Sequence, residues 1–213
     1  MTRLLLIRHG ESQANRGSFF AGQKDVPLEE KGLSQARVTA DFIVHNYSVD
    51  KVYASDLCRA YDTGKAVADL LGLEVIPEPR LREIYAGQWQ GQKFTDIIDE
   101  FGADYQVWLK DIGNCVCTGG ESVAQLGSRV LEALTDIARA NPGKTVVIAT
   151  HATPIRVLQC LLSGQSLDHM KDIPWTSNAS VTEITYESGL WNLEKIGYDR
   201  HLSALKTSFS ANV

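Results

Sequence analysis

Short apolar runs alternate along this chain with longer stretches in which apolar residues recur every three or four positions. The short runs predict buried strands at residues 2–8, 51–55, 73–76 and 145–150. The longer stretches predict amphipathic helices, with apolar faces over residues 33–44, 60–71 and 121–140. Because strands alternate with helices, the pattern predicts an α/β fold, a three-layer α/β/α sandwich around a mostly parallel central sheet.

The end of the chain departs from this alternation. Residues 179–186 and 189–195 alternate apolar and polar positions across a two-residue turn, which predicts a hairpin and an antiparallel edge of the sheet. Residues 85–120 are the least regular stretch and predict a helical insertion over one end of the sheet. Since no linker or repeat divides the chain, we expect a single domain over residues 1–213, with fraying of the small and polar residues 207–213.

Composition narrows the class of protein. The chain is 44% hydrophobic and 22% charged, the balance of a soluble globular protein, and its net charge of −5 argues against a nucleic-acid partner. The apolar run at residues 4–7 is too short for a signal peptide or a membrane span, so we expect a cytoplasmic protein without a membrane partner. The four cysteines lack the spacing of a zinc site, which predicts free thiols and no metal.

Charged and imidazole side chains follow three of the predicted strands. The first strand ends in Arg8 and His9, the second is followed by Arg59, and the last ends at His151. Ligands of parallel sheets bind at the carboxyl ends of the strands, so these four side chains should converge. Arginine presents a fork of donors that matches phosphate oxygens, and a neutral imidazole is a competent nucleophile. The Arg-His pair alone is equally compatible with a surface ion pair and a helix cap.

An ordered set of motifs decides between these interpretations. It begins with residues 6–15 (LIRHGESQAN) and continues through residues 25–28 (DVPL), 32–36 (GLSQA), 55–60 (SDLCRA), 81–83 (LRE), 87–91 (GQWQG), 119–122 (GGES) and 150–151 (TH). In order and spacing the set resembles the histidine phosphatase superfamily, in its phosphoglycerate mutase-like branch. The resemblance covers roughly residues 3 to 182.

The resemblance implies a role for each matching residue. His9 matches the nucleophile that carries the phosphoryl group, and Arg8, Arg59 and His151 match the residues that grip that group. Glu83 matches the general acid, which would protonate the leaving oxygen and later take a proton from water.

The same resemblance implies phosphate contacts from the Asn15 side chain and from the backbone of Gly22 and Ala152. The family more often has glycine where Ala152 stands, but a small residue keeps the backbone N–H accessible. Glu29 replaces the usual Ser or Thr helix cap, which we expect to weaken that cap by ~1 kcal/mol. The family needs no metal, so no cofactor is expected.

Two features favour a phosphatase of small phosphorylated metabolites over a mutase. Residues 108–111 (WLKD) offer a lone Lys110 where mutases carry paired arginines, and residues 83–87 read EIYAG in place of the mutase pattern ERHYG. A phosphoglycerate mutase or sugar-bisphosphatase-type phosphotransfer enzyme is one alternative. A non-catalytic phospho-ligand binding protein is a second, which the presence of both His9 and Glu83 disfavours. Homodimer formation is left open.

The remaining conspicuous residues receive structural interpretations. We expect solvent exposure for three histidines, His45, His169 and His201. We expect packing roles for the four tryptophans, of which Trp89 is the candidate for the mouth of the site: Trp89, Trp108, Trp175 and Trp191. We assign Glu11 either to orienting the nucleophile loop or to a purely structural role. We assign Glu121 and Ser122 to a helix start close to the site.

Overall fold

The computed structural model describes residues 1–207, so residues 208–213 of the predicted domain and of the predicted fraying tail lie outside it. The six strands are β1 (Thr2–Arg8), β2 (Lys51–Ala54), β3 (Val75–Pro77), β4 (Thr145–Thr150), β5 (Val181–Glu187) and β6 (Leu190–Tyr198). The α-helices are α1 (Gln13–Gly17), α2 (Glu30–Asn46), α3 (Cys58–Leu71), α4 (Phe94–Glu100), α5 (Gly102–Lys110), α6 (Val123–Ala140) and α7 (Ala152–Leu162).

The strands form one mixed sheet in the order β3-β2-β4-β1-β5-β6. The first four of these run parallel to one another, whereas β5 pairs antiparallel with β1 and β6 antiparallel with β5. The predicted fold class, with its mostly parallel sheet and antiparallel edge, is therefore confirmed. Strand β3 begins two residues later than predicted because Gly72 adopts a left-handed φ of 64° and Leu73 still bonds the end of α3.

Alternate residues of the central strands face opposite layers. Leu4 and Leu6 of β1 pack into a core with α6 and α7, while Leu5 and Ile7 pack into a second core with α2 and α3. These side chains are almost wholly buried, and each such burial stabilises the fold by about 1.5–3 kcal/mol. The period-two pattern of one strand thus holds both helical layers against the sheet.

Helix ends follow the local sequence. Helix α6 begins two residues after the predicted start because Ser122 and Gln125 form a reciprocal capping box there. Glu29 occupies the N-cap of α2 without a capping hydrogen bond, as predicted, and its carboxylate accepts from Arg16 at 2.9 Å instead.

Residues 85–120 contain α4, α5 and two short 3-10 helices, Gly87–Trp89 and Ile112–Asn114. Their aromatic side chains pack on one another, with the rings of Trp89 and Tyr105 5.5 Å apart. Within the described residues, no helix combines the length and hydropathy needed to cross a membrane.

One of the three histidine predictions is wrong. His45 and His169 are exposed, but His201 is half-buried. Its ring stacks on Phe42 at 4.6 Å, and its Nε2 lies 2.8 Å from the Thr39 hydroxyl. The 3-10 helix Arg200–Leu205 folds back onto α2, a tertiary contact that the local sequence does not indicate.

Candidate active site

The carboxyl edge of the sheet brings the sequence-predicted residues to one pocket. Its lining includes seven of them, Arg8, His9, Asn15, Gly22, Arg59, Glu83 and Ala152. The eighth, His151, is fully buried beside His9.

Strand register explains why the two histidines meet. Arg8 of β1 pairs with Thr150 of β4, so His9 and His151 are the next residue on each of two neighbouring parallel strands. The His9 amide still donates to the Thr150 carbonyl at 2.9 Å. On its other side the His9 carbonyl accepts from the Asn178 side-chain amide at 3.0 Å. The nucleophile candidate therefore stands on a backbone held from both sides.

The His9 ring has one defined tautomer. Its Nδ1 lies 2.7 Å from the Gly10 carbonyl, which can only accept, so Nδ1 carries the proton and Nε2 carries the lone pair. Burial lowers the pKa of His9 well below 6.5, and the nearby charges of Arg59 and Arg8 lower it further. Nε2 is therefore unprotonated at neutral pH, as a nucleophilic nitrogen must be.

His151 is held by Ser55, the residue that follows β2 at the same edge of the sheet. The His151 Nε2 lies 2.8 Å from the Ser55 hydroxyl, which also accepts from the Leu57 amide at 3.3 Å. Burial, followed by the charge of Arg59, lowers the pKa of His151 well below 6.5. The buried His151 Nδ1 has no hydrogen-bond partner among the described residues. A neutral ring that accepts from Ser55 would therefore keep an Nδ1–H for a ligand.

Backbone carbonyls orient the two arginines. Arg8 donates to the Thr176 carbonyl at 2.6 Å, and Arg59 donates to the carbonyls of Gly22 and Lys24 at 2.7 and 2.9 Å. Burial lowers the pKa of Arg8 to about 10, against the opposing charge of Glu83, so Arg8 remains a cation at neutral pH. The pocket floor thus carries two fixed positive charges.

The loop after β1 presents polar donors to the pocket. Ser12 caps α1, and the Asn15 Oδ1 accepts from the Ser12 amide at 3.0 Å, from its hydroxyl at 2.9 Å and from Asn178 at 3.2 Å. Since its oxygen is occupied, the Asn15 side chain has its NH₂ group left to offer an anion. Gly22 adopts φ +53°, and a Cβ there would stand 2.5 Å from the Gln90 Oε1, so this turn requires glycine.

Glu83 lies at the pocket with both carboxylate oxygens held by backbone amides. Its Oε1 accepts from Ile84 at 2.8 Å and its Oε2 from Thr153 at 3.3 Å. Ala152 and Thr153 form the first turn of α7, whose N-terminus adds partial positive charge at the pocket.

An aromatic wall, missed by the sequence analysis, lines the rest of the pocket. It consists of Phe19, Phe20, Phe94, Trp108 and Trp175. Trp89, the tryptophan considered for the mouth of the site, is fully buried behind Phe20, with the two rings 5.8 Å apart. Trp89 therefore has the packing role expected of it and does not reach the mouth of the site, whereas Trp108 and Trp175, which were also expected to be packing residues, line the pocket. Ser55, Asn178 and Thr176 were also missed as supports of the site, and of these only Ser55 lies in a quoted motif.

The charges around the pocket are few. Among the described lining residues, the charged side chains are Arg8, Arg59 and Glu83, and Lys110 is not part of the lining. Over residues 1–207, no group of three or more His, Cys, Asp or Glu side chains is placed to hold a metal ion.

Known proteins are similar to this chain over most of its length. The family model described as histidine phosphatase superfamily (branch 1) matches residues 4–199. Phosphoserine phosphatase 1 of Hydrogenobacter thermophilus is 31% identical over 205 residues, which cover 95% of each chain. Probable phosphoglycerate mutase GpmB of Yersinia pestis is 30% identical over 195 residues, covering 90% of this chain and 88% of its own.

Among solved structures, Bacillus stearothermophilus YhfR superposes with a TM-score of 0.91 at 28% identity, over 95% of this chain and 100% of its own. The resemblance inferred from the motifs is therefore confirmed by both sequence and fold.

Proposed function

The chain belongs to the histidine phosphatase superfamily, branch 1, and from that premise we propose that it hydrolyses small phosphomonoesters through a phosphohistidine on His9. The observation that carries this proposal is the His9 tautomer, with its unprotonated Nε2 in a pocket lined by two arginines and one carboxyl group. A nucleophile, a charge clamp and a proton donor are what phosphoryl transfer requires.

In the first step the His9 Nε2 attacks phosphorus and the bond from phosphorus to the ester oxygen breaks. Glu83 gives its proton to that leaving oxygen, so an alcohol departs. In the second step water attacks the phosphohistidine, Glu83 takes a proton from the water, and the phosphorus–nitrogen bond breaks to return neutral His9 and release phosphate.

The phosphoryl group would be gripped throughout by Arg8, Arg59 and His151. The Asn15 NH₂ and the backbone amides of Gly22 and Ala152 would bind its remaining oxygens. Charge spread over the transferring oxygens is stabilised most by donors that are already in place, and the arginines here are held by carbonyls before any ligand arrives.

The aromatic wall supports a phosphatase over a mutase. A mutase substrate carries a second anionic group, yet beyond Arg8 and Arg59 no described lining residue supplies a cation for it. The wall instead fits a leaving group with an apolar or aromatic surface. The chain would act as one domain, in which the insertion at residues 85–120 supplies Phe94 and Trp108 to the wall.

The relatives named above act, by their names, as a phosphatase and as a mutase, so the test must separate these outcomes. Purified protein is incubated with a panel of phosphorylated metabolites and aryl phosphates, with and without 2,3-bisphosphoglycerate and with and without EDTA. We expect release of inorganic phosphate, insensitive to EDTA because two guanidinium groups supply the charge. Isomerisation that requires 2,3-bisphosphoglycerate would establish the mutase, and binding without turnover would establish a phospho-ligand binding protein.

A further inference from the structure

A single guanidinium group ties together the backbone around Glu83. Arg129 projects from α6, and all five of its N–H donors have partners. Three backbone carbonyls accept at 2.8 Å each, those of Arg80, Arg82 and Glu83. The other two donors reach the carboxylate of Glu121, at 2.6 and 3.1 Å.

Glu121 connects Arg129 to the backbone of Tyr85, on the other side of Glu83. Its Oε1 accepts from the Tyr85 amide at 2.7 Å, and its own backbone amide donates to the Tyr85 carbonyl at 2.8 Å. The ion pair therefore holds the backbone on both sides of Glu83.

The position of the Glu83 carboxyl depends on this backbone. One of its oxygens accepts from the next amide in the chain, that of Ile84, so the carboxyl turns with the peptide that Arg129 holds. A displaced peptide would move the carboxyl relative to the His9 Nε2 and to the leaving oxygen.

Core side chains hold the segment around Glu83 folded independently of the ion pair. Leu81 and Ile84 are fully buried in the core, whereas the side chains of Arg129 and Glu121 remain 22% and 15% exposed. Because the Arg129 side chain is partly exposed, water can take its place at the carbonyls when its donors are lost. The ion pair is thus placed to fix the position of the segment, while the core side chains keep it folded.

We infer that Arg129 and Glu121 are positioning residues for the proton donor Glu83. The inference rests on the proposed function, since it assumes that Glu83 donates the proton. It also gives a role to Glu121 of the GGES motif at residues 119–122, for which the sequence indicates a helix start close to the site but no defined step.

The test compares two aryl phosphates whose leaving groups differ strongly in their need for a proton. Single-turnover formation of phosphoenzyme is measured with 4-nitrophenyl phosphate and with phenyl phosphate, for wild type, Arg129→Lys, Glu121→Gln and Glu83→Gln. A lysine cannot reach three carbonyls and a carboxylate at once, and misplacement of a catalytic group by about 1 Å costs about 10²-fold. We expect losses approaching that size with phenyl phosphate and little change with 4-nitrophenyl phosphate.

A double variant distinguishes a positioning role of Arg129 from a merely structural one. In the Glu83→Gln background, Arg129→Lys should add no further discrimination between the two substrates, because the group it positions is gone. Arg139→Met, which removes an exposed arginine from the same helix, is the matched control and should behave as wild type.

The possible failures are distinguishable. Equal losses for both substrates in Arg129→Lys and Glu121→Gln, or additive discrimination in the double variant, would overturn the inference while leaving Glu83 as the donor. Equal losses in Glu83→Gln itself would overturn the donor role, and the inference with it. If Arg129→Lys fails to fold, Glu121→Gln decides alone, since it keeps the shape of the side chain.

Discussion

The rings of His9 and His151 meet edge to face, with their centroids 5.2 Å apart and an interplanar angle of 63°. Two imidazolium ions at this separation would repel each other, and burial already lowers the pKa of both rings well below 6.5. The pair is therefore a neutral pair in the folded protein at neutral pH.

This neutrality predicts how stability depends on pH. The folded pKa values lie below the unfolded value of about 6.5, so the unfolded chain binds more protons once the pH drops below that value. The stabilisation is fully present above pH ~6.5 and is lost as pH falls, by up to about 1.4 kcal/mol per pH unit for each histidine.

Urea unfolding between pH 7.5 and 5.5 measures this slope. We expect His9→Asn to reduce it, whereas His45→Asn, which replaces an exposed histidine, should leave it unchanged. A free energy of unfolding that is constant over this range would contradict the neutral pair.

Removal of the nucleophile should abolish turnover. We expect His9→Ala to lose hydrolysis of any aryl phosphate while remaining folded, because no other residue of the described lining offers an imidazole nitrogen. Wild-type protein quenched during turnover should carry an acid-labile phosphoryl group on His9, located by mass spectrometry. A label on a serine or an aspartate would disprove the proposed intermediate.

The rate loss caused by removing the proton donor should depend on how strongly the leaving group needs a proton. We expect Glu83→Gln to slow phosphoenzyme formation from alkyl phosphates by about 10²–10⁴-fold and from 4-nitrophenyl phosphate far less, since nitrophenolate departs without a proton. Single-turnover rates are needed, because Glu83 also serves the hydrolytic step. If both substrates lose equally, Glu83 is not the proton donor, and no other carboxyl group lies among the described lining residues.

The aromatic wall should determine which esters are preferred. Phe94 is half-buried and lines the pocket, so Phe94→Ala should lower kcat/KM for 1-naphthyl phosphate by roughly fivefold, or ~1 kcal/mol, and leave phosphoserine little changed. Ile98→Ala is the matched control, because Ile98 lies on the same helix, is exposed and is absent from the lining. An equal loss for both esters would argue against a leaving-group site at the wall.

The sequence indicated which residues follow the strands, because the apolar runs are followed by charged and imidazole side chains. Arg8, His9, Arg59 and His151 were placed together in this way, and the observed register brings them to one edge. The motif set added Glu83, which follows no long strand.

The supports of the site were not predictable by the same reasoning. Asn178 and Thr176 lie after α7, far along the chain from the His9 and Arg8 that they hold. Trp175 belongs to the same irregular segment, where no periodicity indicates which way a ring faces. Such contacts exist only once the antiparallel strand β5 has closed against β1.

The aromatic wall and the proposed nucleophile His9 stand on different parts of the backbone. His9 follows a strand with a hydrogen-bonded neighbour on each side, whereas Phe19, Phe94, Trp108 and Trp175 lie outside the sheet. A substitution at the half-buried Phe94 therefore changes the wall without touching the strands that His9 and His151 follow. In proteins with this architecture, the preference among phosphate esters can change while the residues proposed to transfer the phosphoryl group stay the same.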